Sequence, residues 1–260
     1  MQFPHGLTIA IPNWNHELLL PRAIRSGLQA VAALREVGVP AEVLVVDDHS
    51  RDGSVRMLRQ LEARYYRDGL RVQAFNTNAG LSANRNQALA LSRYRYIAFV
   101  DADNEIVPEN IPLFVDGLQK TGAAGAYGTV LLRSVTSEIA YHAFSNEPFQ
   151  DQMFECNHID ALAVFDRSQL IDEGGYMDQR WEDYEVWLHL ATSGRQILFI
   201  PVVLGYYYIL PSSISTDPAE NKNINAVHAR MKRIFNQVKA REHLPLNSRH
   251  RRYHPSLGYF

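Results

Sequence analysis

The chain has 260 residues, 46% of them hydrophobic and 21% charged, enough for one large α/β domain with a substantial core. Its 26 basic and 28 acidic side chains leave a formal net charge of −2, which argues against a general nucleic-acid-binding surface. The single cysteine, Cys156, excludes an intrachain disulfide. With no leader-like pattern in residues 1–10 and no run of about 18 apolar residues, a cytoplasmic location is the expectation.

Residues 7–12 predict a first strand, stopped by a proline that cannot donate to a central ladder, and Asn13-Trp14-Asn15 a loop. Leu18, Leu19, Ala23, Ile24, Leu28, Val31, Ala32 and Leu34 keep a helical period over 16–37, ended by Gly38 and Pro40. A second strand at 41–46 runs into Asp47-Asp48-His49-Ser50, with Ser50 or Asp52 placed to cap a helix over 53–66. A strand at 70–75, a helix at 80–92 and a strand at 94–100 extend this alternation. It predicts a Rossmann-like, doubly wound, mostly parallel sheet. Right-handed crossovers then gather Pro12, Asp47, Asp48, Asn76 and the pair Asp101/Asp103 along one crevice.

Beyond residue 107 the alternation is less regular. A helix is expected at 108–120, a strand at 123–132, and a long loop at 134–157, where no period is visible. Residues 159–165 suggest another strand, and Val186, Trp187 and Leu190 mark the buried face of a helix with Asp183 in its first turn. The apolar stretch 197–210 reads as two short strands interrupted by Pro201 and Gly205. A helix at 219–241 precedes a tail in which Arg249, Arg251 and Arg252 alternate with His250, Tyr253 and His254. That tail suggests peripheral contact with an anionic membrane surface, a solvated tail or a subunit contact.

The most informative stretch is residues 96–104, a buried strand that ends in Asp101-Ala102-Asp103. Paired carboxylates at the carboxyl end of such a strand supply oxygen ligands to a hard cation, Mg²⁺ or Mn²⁺, which completes its shell with water and substrate phosphates. By itself the pattern also suits a turn and helix start before Pro108. Cys156-Asn157-His158-Ile159-Asp160 lacks the second spaced pair of a structural zinc site and reads as pocket or loop lining.

Five motifs in order along residues 9–188 resemble the inverting, metal-dependent nucleotide-sugar glycosyltransferases of family 2, with the GT-A fold. They are Ile9-Ala10-Ile11-Pro12-Asn13-Trp14-Asn15, Val45-Val46-Asp47-Asp48 through Ser54, Asn78-Ala79-Gly80 through Asn86, Asp101-Ala102-Asp103, and Trp181-Glu182-Asp183 through Leu188. The resemblance implies one domain with a nucleotide-sugar-binding half (1–105), an elaborated acceptor-side half (106–215) and a C-terminal helix and tail (216–260). Asp48 then accepts from the imide N–H of uracil, and a UDP-sugar is the expected donor, ahead of dTDP- and GDP-sugars. Pro12, Trp14 and Asn15 lie by the base and ribose, Arg85 faces the nucleotide, and Asp101 touches ribose or completes the metal shell. Asp103 is the metal ligand, for Mn²⁺ or Mg²⁺.

Asp183 is the implied general base, taking the proton of an acceptor hydroxyl as it attacks the anomeric carbon in line. A helix N-terminus would hold it ionised. Trp181, Glu182 and His158 fall on the acceptor side, and the acceptor itself is a glycan, a lipid-linked sugar or a small metabolite. Where family members often carry an arginine and a histidine after the late tyrosine strand, this chain has Ile209 and Leu210, which removes one expected phosphate or metal contact. His142 and His158 are candidate substitutes, and each also reads as a structural histidine, the reading favoured for both. Competing readings are a non-catalytic nucleotide-sugar-binding module and a sugar-nucleotide pyrophosphorylase. The latter expects a Gly-rich loop where Pro12-Asn13-Trp14-Asn15 stands.

Overall fold

The computed structural model describes residues 3–134, 142–149, 153, 157–177, 181–210, 253–254 and 258–259. Strand and helix alternate as expected through β1 (Leu7–Asn13), α1 (Leu20–Glu36), β2 (Ala41–Asp47), α2 (Ser54–Tyr65), β3 (Leu70–Ala74), α3 (Leu81–Leu91) and β4 (Tyr96–Phe99). There follow β5 (Glu105–Ile106), α4 (Ile111–Thr121), β6 (Gly125–Ser134), β7 (His142–Phe144), β8 (Ala163–Asp166), α5 (Arg167–Asp172), α6 (Glu182–Thr192) and β9 (Ile197–Ile209). Two short strands, β10 (Tyr253–His254) and β11 (Gly258–Tyr259), close the sequence of elements.

The central strands are apolar on both faces because helices cover both. Leu7, Ile9, Ile11, Val43 and Val45 pack with Ile24, Val31 and Leu34 of α1 and with Phe114 and Leu118 of α4. Ala10, Leu44, Val46, Ile97 and Phe99 turn the other way, toward Ala88 and Leu89 of α3 and Tyr184, Trp187 and Leu190 of α6. The sheet order is β10-β11-β9-β6-β8-β4-β1-β2-β3. β4, β1, β2 and β3 are parallel, β8 is antiparallel to both β4 and β6, and β6 and β9 run parallel to each other. This is the doubly wound, mostly parallel sheet that the sequence predicts.

Several elements differ from the sequence expectation, each for a local reason. β1 runs one residue past the expected end, through Pro12 to Asn13, and Pro12 stays in register with Val46. Pairing with β4 has already ended at Ala10↔Phe99, so the proline sits where one flank has no strand partner. The helix expected from residue 16 begins at Leu20, because residues 13–17 are tied to the loop after β2. Asp52 accepts from the Glu17 and Ser54 N–H groups, whereas Ser50 turns back to Asp47 and caps nothing.

Residues 197–209 form one strand, not two. Gly128 pairs with Ile200 and Thr129 with Val203, so Pro201 and Val202 bulge out of the β6 ladder without ending β9. Gly205 has no Cβ for a steric reason, since one would lie 2.4 Å from the Glu105 carbonyl oxygen and block the pairing of β5 with β9.

The loop at 134–157 contains β7, paired to β6, and the strand expected over 159–165 is confined to Ala163–Asp166. β5 and α5 carry too few residues to show a period. The helix expected at 219–241, Cys156 and the arginines at 249, 251 and 252 lie outside the described residues. Tyr253–His254 and Gly258–Tyr259, however, pair with each other and dock on β9 opposite Phe199. Among the described residues no helix is long and apolar enough to cross a membrane.

Candidate active site

Parallel pairing sets the carboxyl ends of β1, β2 and β4 side by side, with Asn13 opposite Asp47 and Phe99 opposite Ala10. Asp47 is a brace for this rim. Its carboxylate accepts from Asn13 Nδ2 at 2.7 Å, Ser50 Oγ at 2.6 Å and Ser50 N at 2.9 Å. Asn15, at φ 59°, completes the brace by donating its N–H to Ser50 Oγ and accepting from the Arg51 N–H.

Asp48 is 2% exposed and reaches across to the start of α3, accepting the N–H groups of Ala79 and Gly80 at 2.8 Å each. Gly80 holds φ +88°, a conformation that suits glycine, and this turns both N–H groups toward one carboxylate. Each Asp48 oxygen retains further lone-pair capacity. Pro12 is buried beside this rim, while Trp14 is 51% exposed at its mouth and is not a core residue.

Asp103 follows the buried Ala102 on the loop between β4 and β5. Burial and the neighbouring Asp101 charge raise its carboxyl pKa to about 6, with His16 and Arg22 partly offsetting them. Arg22 of α1 donates to the Asp103 carbonyl and lies 3.4 Å over the ring of Tyr208 on β9. Asn104 accepts the Tyr208 N–H at 3.0 Å. The loop is therefore held from α1 and from β9, near the point where the tyrosine strand lacks its expected arginine and histidine.

Arg85 on α3 joins this loop to α6. Its guanidinium is 2% exposed and donates to Asp101 at 2.8 Å and to Glu182, with the Tyr176 ring 5.3 Å away. Burial works against its charge, but Asp101 and Glu182 outweigh burial and raise its pKa above the ordinary arginine value.

Asp183, next to Glu182, has its pKa raised to about 6. Burial is the largest cause and Glu182 adds to it, while Arg85, the Tyr184 N–H and Asn157 pull the other way. Asn157 Nδ2 donates to Asp183 Oδ2 at 3.2 Å. The net direction is opposite to what a helix N-terminus alone implies, because burial beside a second carboxylate outweighs the helix dipole.

Asp160 is a member of this cluster that the motif-based reading leaves out. Burial raises its pKa to about 7, assisted by the charges of Asp101 and Asp183. Its N–H donates to Ser145 Oγ and its Oδ1 accepts the Leu162 N–H. The available signal is an acid set among Ile159, Leu162 and Ala163 at a strand entrance. The loop that carries Asn157, His158 and Asp160 is pinned by two tyrosines: Tyr127 OH donates to the Glu147 carbonyl and Tyr184 OH to the Met153 carbonyl. Trp181, half-buried, precedes α6 at φ 64°. The structure thus brings Asp101, Arg85, Glu182, Asp183 and Asp160 together, and sets Asp48 and Pro12 at the adjoining rim.

Comparison with known proteins bears on the family and the fold. The family model "Glycosyl transferase family 2" matches residues 8–169. An undecaprenyl-phosphate 4-deoxy-4-formamido-L-arabinose transferase of Pseudomonas paraeruginosa is 36% identical over 112 residues, 42% of this chain and 31% of that protein, so the chain matches less than a third of that relative's length. The Escherichia coli UDP-Glc:alpha-D-GlcNAc-diphosphoundecaprenol beta-1,3-glucosyltransferase WfaP is 23% identical over 192 residues, 72% of each chain.

Among solved structures, S. aureus TarS 1-349 in complex with UDP-GlcNAc superposes with a TM-score of 0.67 at 17% identity, covering 91% of this chain and 71% of that one. The mannosyltransferase PcManGT of Pyrobaculum calidifontis, in complex with GDP-Man and Mn²⁺, gives 0.65 at 16% identity, covering 95% and 71%. These likenesses establish the GT-A architecture. With a family match across more than half of its length and the motifs assembled on that fold, the chain belongs to glycosyl transferase family 2.

Proposed function

We propose that this chain transfers a sugar from a nucleoside-diphosphate sugar, UDP-linked, to an acceptor hydroxyl with inversion at the anomeric carbon. The carrying observation is Arg85, whose two ion pairs connect Asp101 of the strand-end pair to Glu182, next to Asp183. Motifs about eighty positions apart in the chain thereby form one site. The nucleoside lies along Pro12, Trp14, Asn15 and Asp48, with Asp101 at the ribose. Asp48, which can only accept when ionised, suits a base edge that offers an N–H. WfaP is named for a UDP-linked donor, in keeping with that choice.

A divalent cation fits at Asp103. Burial and the Asp101 charge make ionisation of that carboxyl costly, and a cation offsets the cost. Among the described residues no three His, Cys, Asp or Glu side chains form a ready-made cage, so the remaining ligands would be substrate oxygens and water. When bound, Mn²⁺ or Mg²⁺ supplies positive charge against the departing diphosphate.

Asp183 accepts the acceptor hydroxyl's proton as that oxygen forms the new glycosidic bond and the bond to the diphosphate breaks. Asn157 holds the carboxylate from the loop side. The relatives named for undecaprenyl carriers make a lipid-linked acceptor at a membrane surface the first to test.

The test is a panel of sugar nucleotides with Mn²⁺ or Mg²⁺, read as release of nucleoside diphosphate and the configuration of the product. Asp103→Ala is expected to lose at least tenfold in cation-dependent UDP binding. Retained configuration in the product, or release from no donor at all, would overturn the reading.

A further inference from the structure

Arg85 stands where the family resemblance aims an arginine at the nucleotide, yet both of its terminal nitrogens are already engaged, one with Asp101 and one with Glu182. Its Nε is buried and makes no hydrogen bond. Three of its five N–H donors remain, but the side chain is 2% exposed, so a phosphate or base edge could reach the guanidinium only if the packing around it opened. The neighbouring residue on α3, Asn86, grips Tyr176 through paired bonds, accepting the Tyr176 N–H at 2.9 Å and donating to its carbonyl at 2.6 Å. Through these adjacent side chains α3 holds the end of β4 and the segment leading to α6 in a fixed relation.

We infer that Arg85 is a positioning residue, not a nucleotide ligand: it links the Asp101 loop to the start of α6 and supplies the positive charge that balances the carboxylates around Asp183. The inference rests on the reading of Asp183 as the general base. The groups facing Asp183 are Glu182 from α6, Arg85 from α3 with Asp101 behind it, Tyr176 from the segment before α6, and Asn157 and Asp160 from the loop before β8. Four carboxylates thus surround one guanidinium. Arg85 favours the ionised form of Asp183 and Glu182 opposes it.

Glu182 and Arg85 are two ends of one ion pair with opposite influence on Asp183, and this permits a decisive experiment. If Arg85 were only a mechanical tie, Arg85→Gln would leave the Asp183 titration unmoved or shift it in the same direction as Glu182→Gln. If Arg85 also acts as the counter-charge, the two variants must move Asp183 in opposite directions. The measurement is the carboxyl titration of Asp183 in the full chain by ¹³C NMR, assigned with Asp183→Asn. It is paired with the acidic limb of the kcat profile and with UDP affinity in the presence of Mn²⁺.

Arg85→Gln should raise the Asp183 titration and the acidic limb by about one pH unit, the size of effect a neighbouring charge produces. Glu182→Gln should lower both. Arg85→Lys should restore the titration while kcat stays depressed, because lysine keeps the charge but not the two-pronged geometry. UDP affinity should fall by less than tenfold in all three, a loss below ~1.4 kcal/mol, because the variants loosen the Asp101 loop without removing a nucleotide contact.

A tenfold or larger loss of UDP affinity with an unmoved Asp183 titration would make Arg85 a nucleotide ligand. Shifts in the same direction, or none, would also overturn the inference. Should Arg85→Gln not fold, Arg85→Lys and Glu182→Gln still decide the matter. The titration needs no turnover, so a wild-type protein inactive on every donor would count against the transfer reading, separately from this one.

Discussion

The rim at β1 and β2 and the pocket at α6 both contain adjacent aspartates or closely placed acids, yet they treat them in opposite ways. Asp47 and Asp48 accept several N–H and O–H donors, including three backbone amides, and act as fasteners between loops. Burial raises the proton affinity of Asp160 and Asp183, to about 7 and about 6, with the charges of Asp101 and Asp183 adding to it at Asp160 and that of Glu182 at Asp183. A carboxylate supplied with amides gives rigidity, whereas one short of them retains affinity for a proton and is suited to proton transfer.

The largest effect that could break this contrast is catalytic. Asp183→Asn is expected to lower turnover by about 10²–10⁴, the range for loss of a general base, with UDP affinity in Mn²⁺ nearly unchanged. Turnover within tenfold of wild type would remove Asp183 from the base role. On the other side of the comparison, Asp48→Ala should cost about 1–2 kcal/mol in urea unfolding, since it removes the two hydrogen bonds from the Ala79 and Gly80 amides that tie the loop after β2 to the start of α3. A loss below ~0.5 kcal/mol would show that those amides find other partners.

Asp160→Asn should act with the opposite sign, stabilising the protein at pH 8. The folded pKa of about 7 lies above the ordinary 3.8, so the contribution of Asp160 is fully present below about pH 4 and is lost as pH rises through 7. The variant's advantage is expected to be on the order of 1–2 kcal/mol at pH 8, after allowance for screening, and to vanish near pH 4. An equal change in melting temperature at both pH values would contradict this. The smallest effect is expected from Tyr184→Phe, at about 1 kcal/mol, because one hydrogen bond to the Met153 carbonyl is lost. A weaker apparent affinity for acceptor than for donor in that variant would localise the loss to the loop.

The same contrast explains what was legible in the sequence. Strong periods and ordered motifs disclosed the first four strands, their helices and the acids at the strand ends. The sequence does not show which acid serves as a brace, because Asp47 and Asp48 differ only in which amides the folded loops bring to them. Asp160 carries no motif, and its character comes from burial, with the charges of Asp101 and Asp183 adding to it, all of which only the folded chain supplies. Pro12 and Pro201 read as strand breaks, but a missing neighbour at one and a bulge at the other let both strands continue. That Arg85 bridges Asp101 and Glu182 is not visible in its motif, because those partners lie 16 and 97 positions away in the chain.

The outer edge of β9 has a consequence for self-association. β5 covers its upper part at Gly205 and Tyr206, β11 covers Phe199 below, and exposed Pro201 between them has no N–H to offer. A long parallel sheet with a bare edge invites strands from other copies to add on and grow into aggregates. Here that edge is divided into short covered pieces with a bulged proline between them. β10 and β11 therefore shorten the open edge of β9, and a variant lacking residues 253–259 is expected to aggregate at a lower concentration than the 260-residue chain.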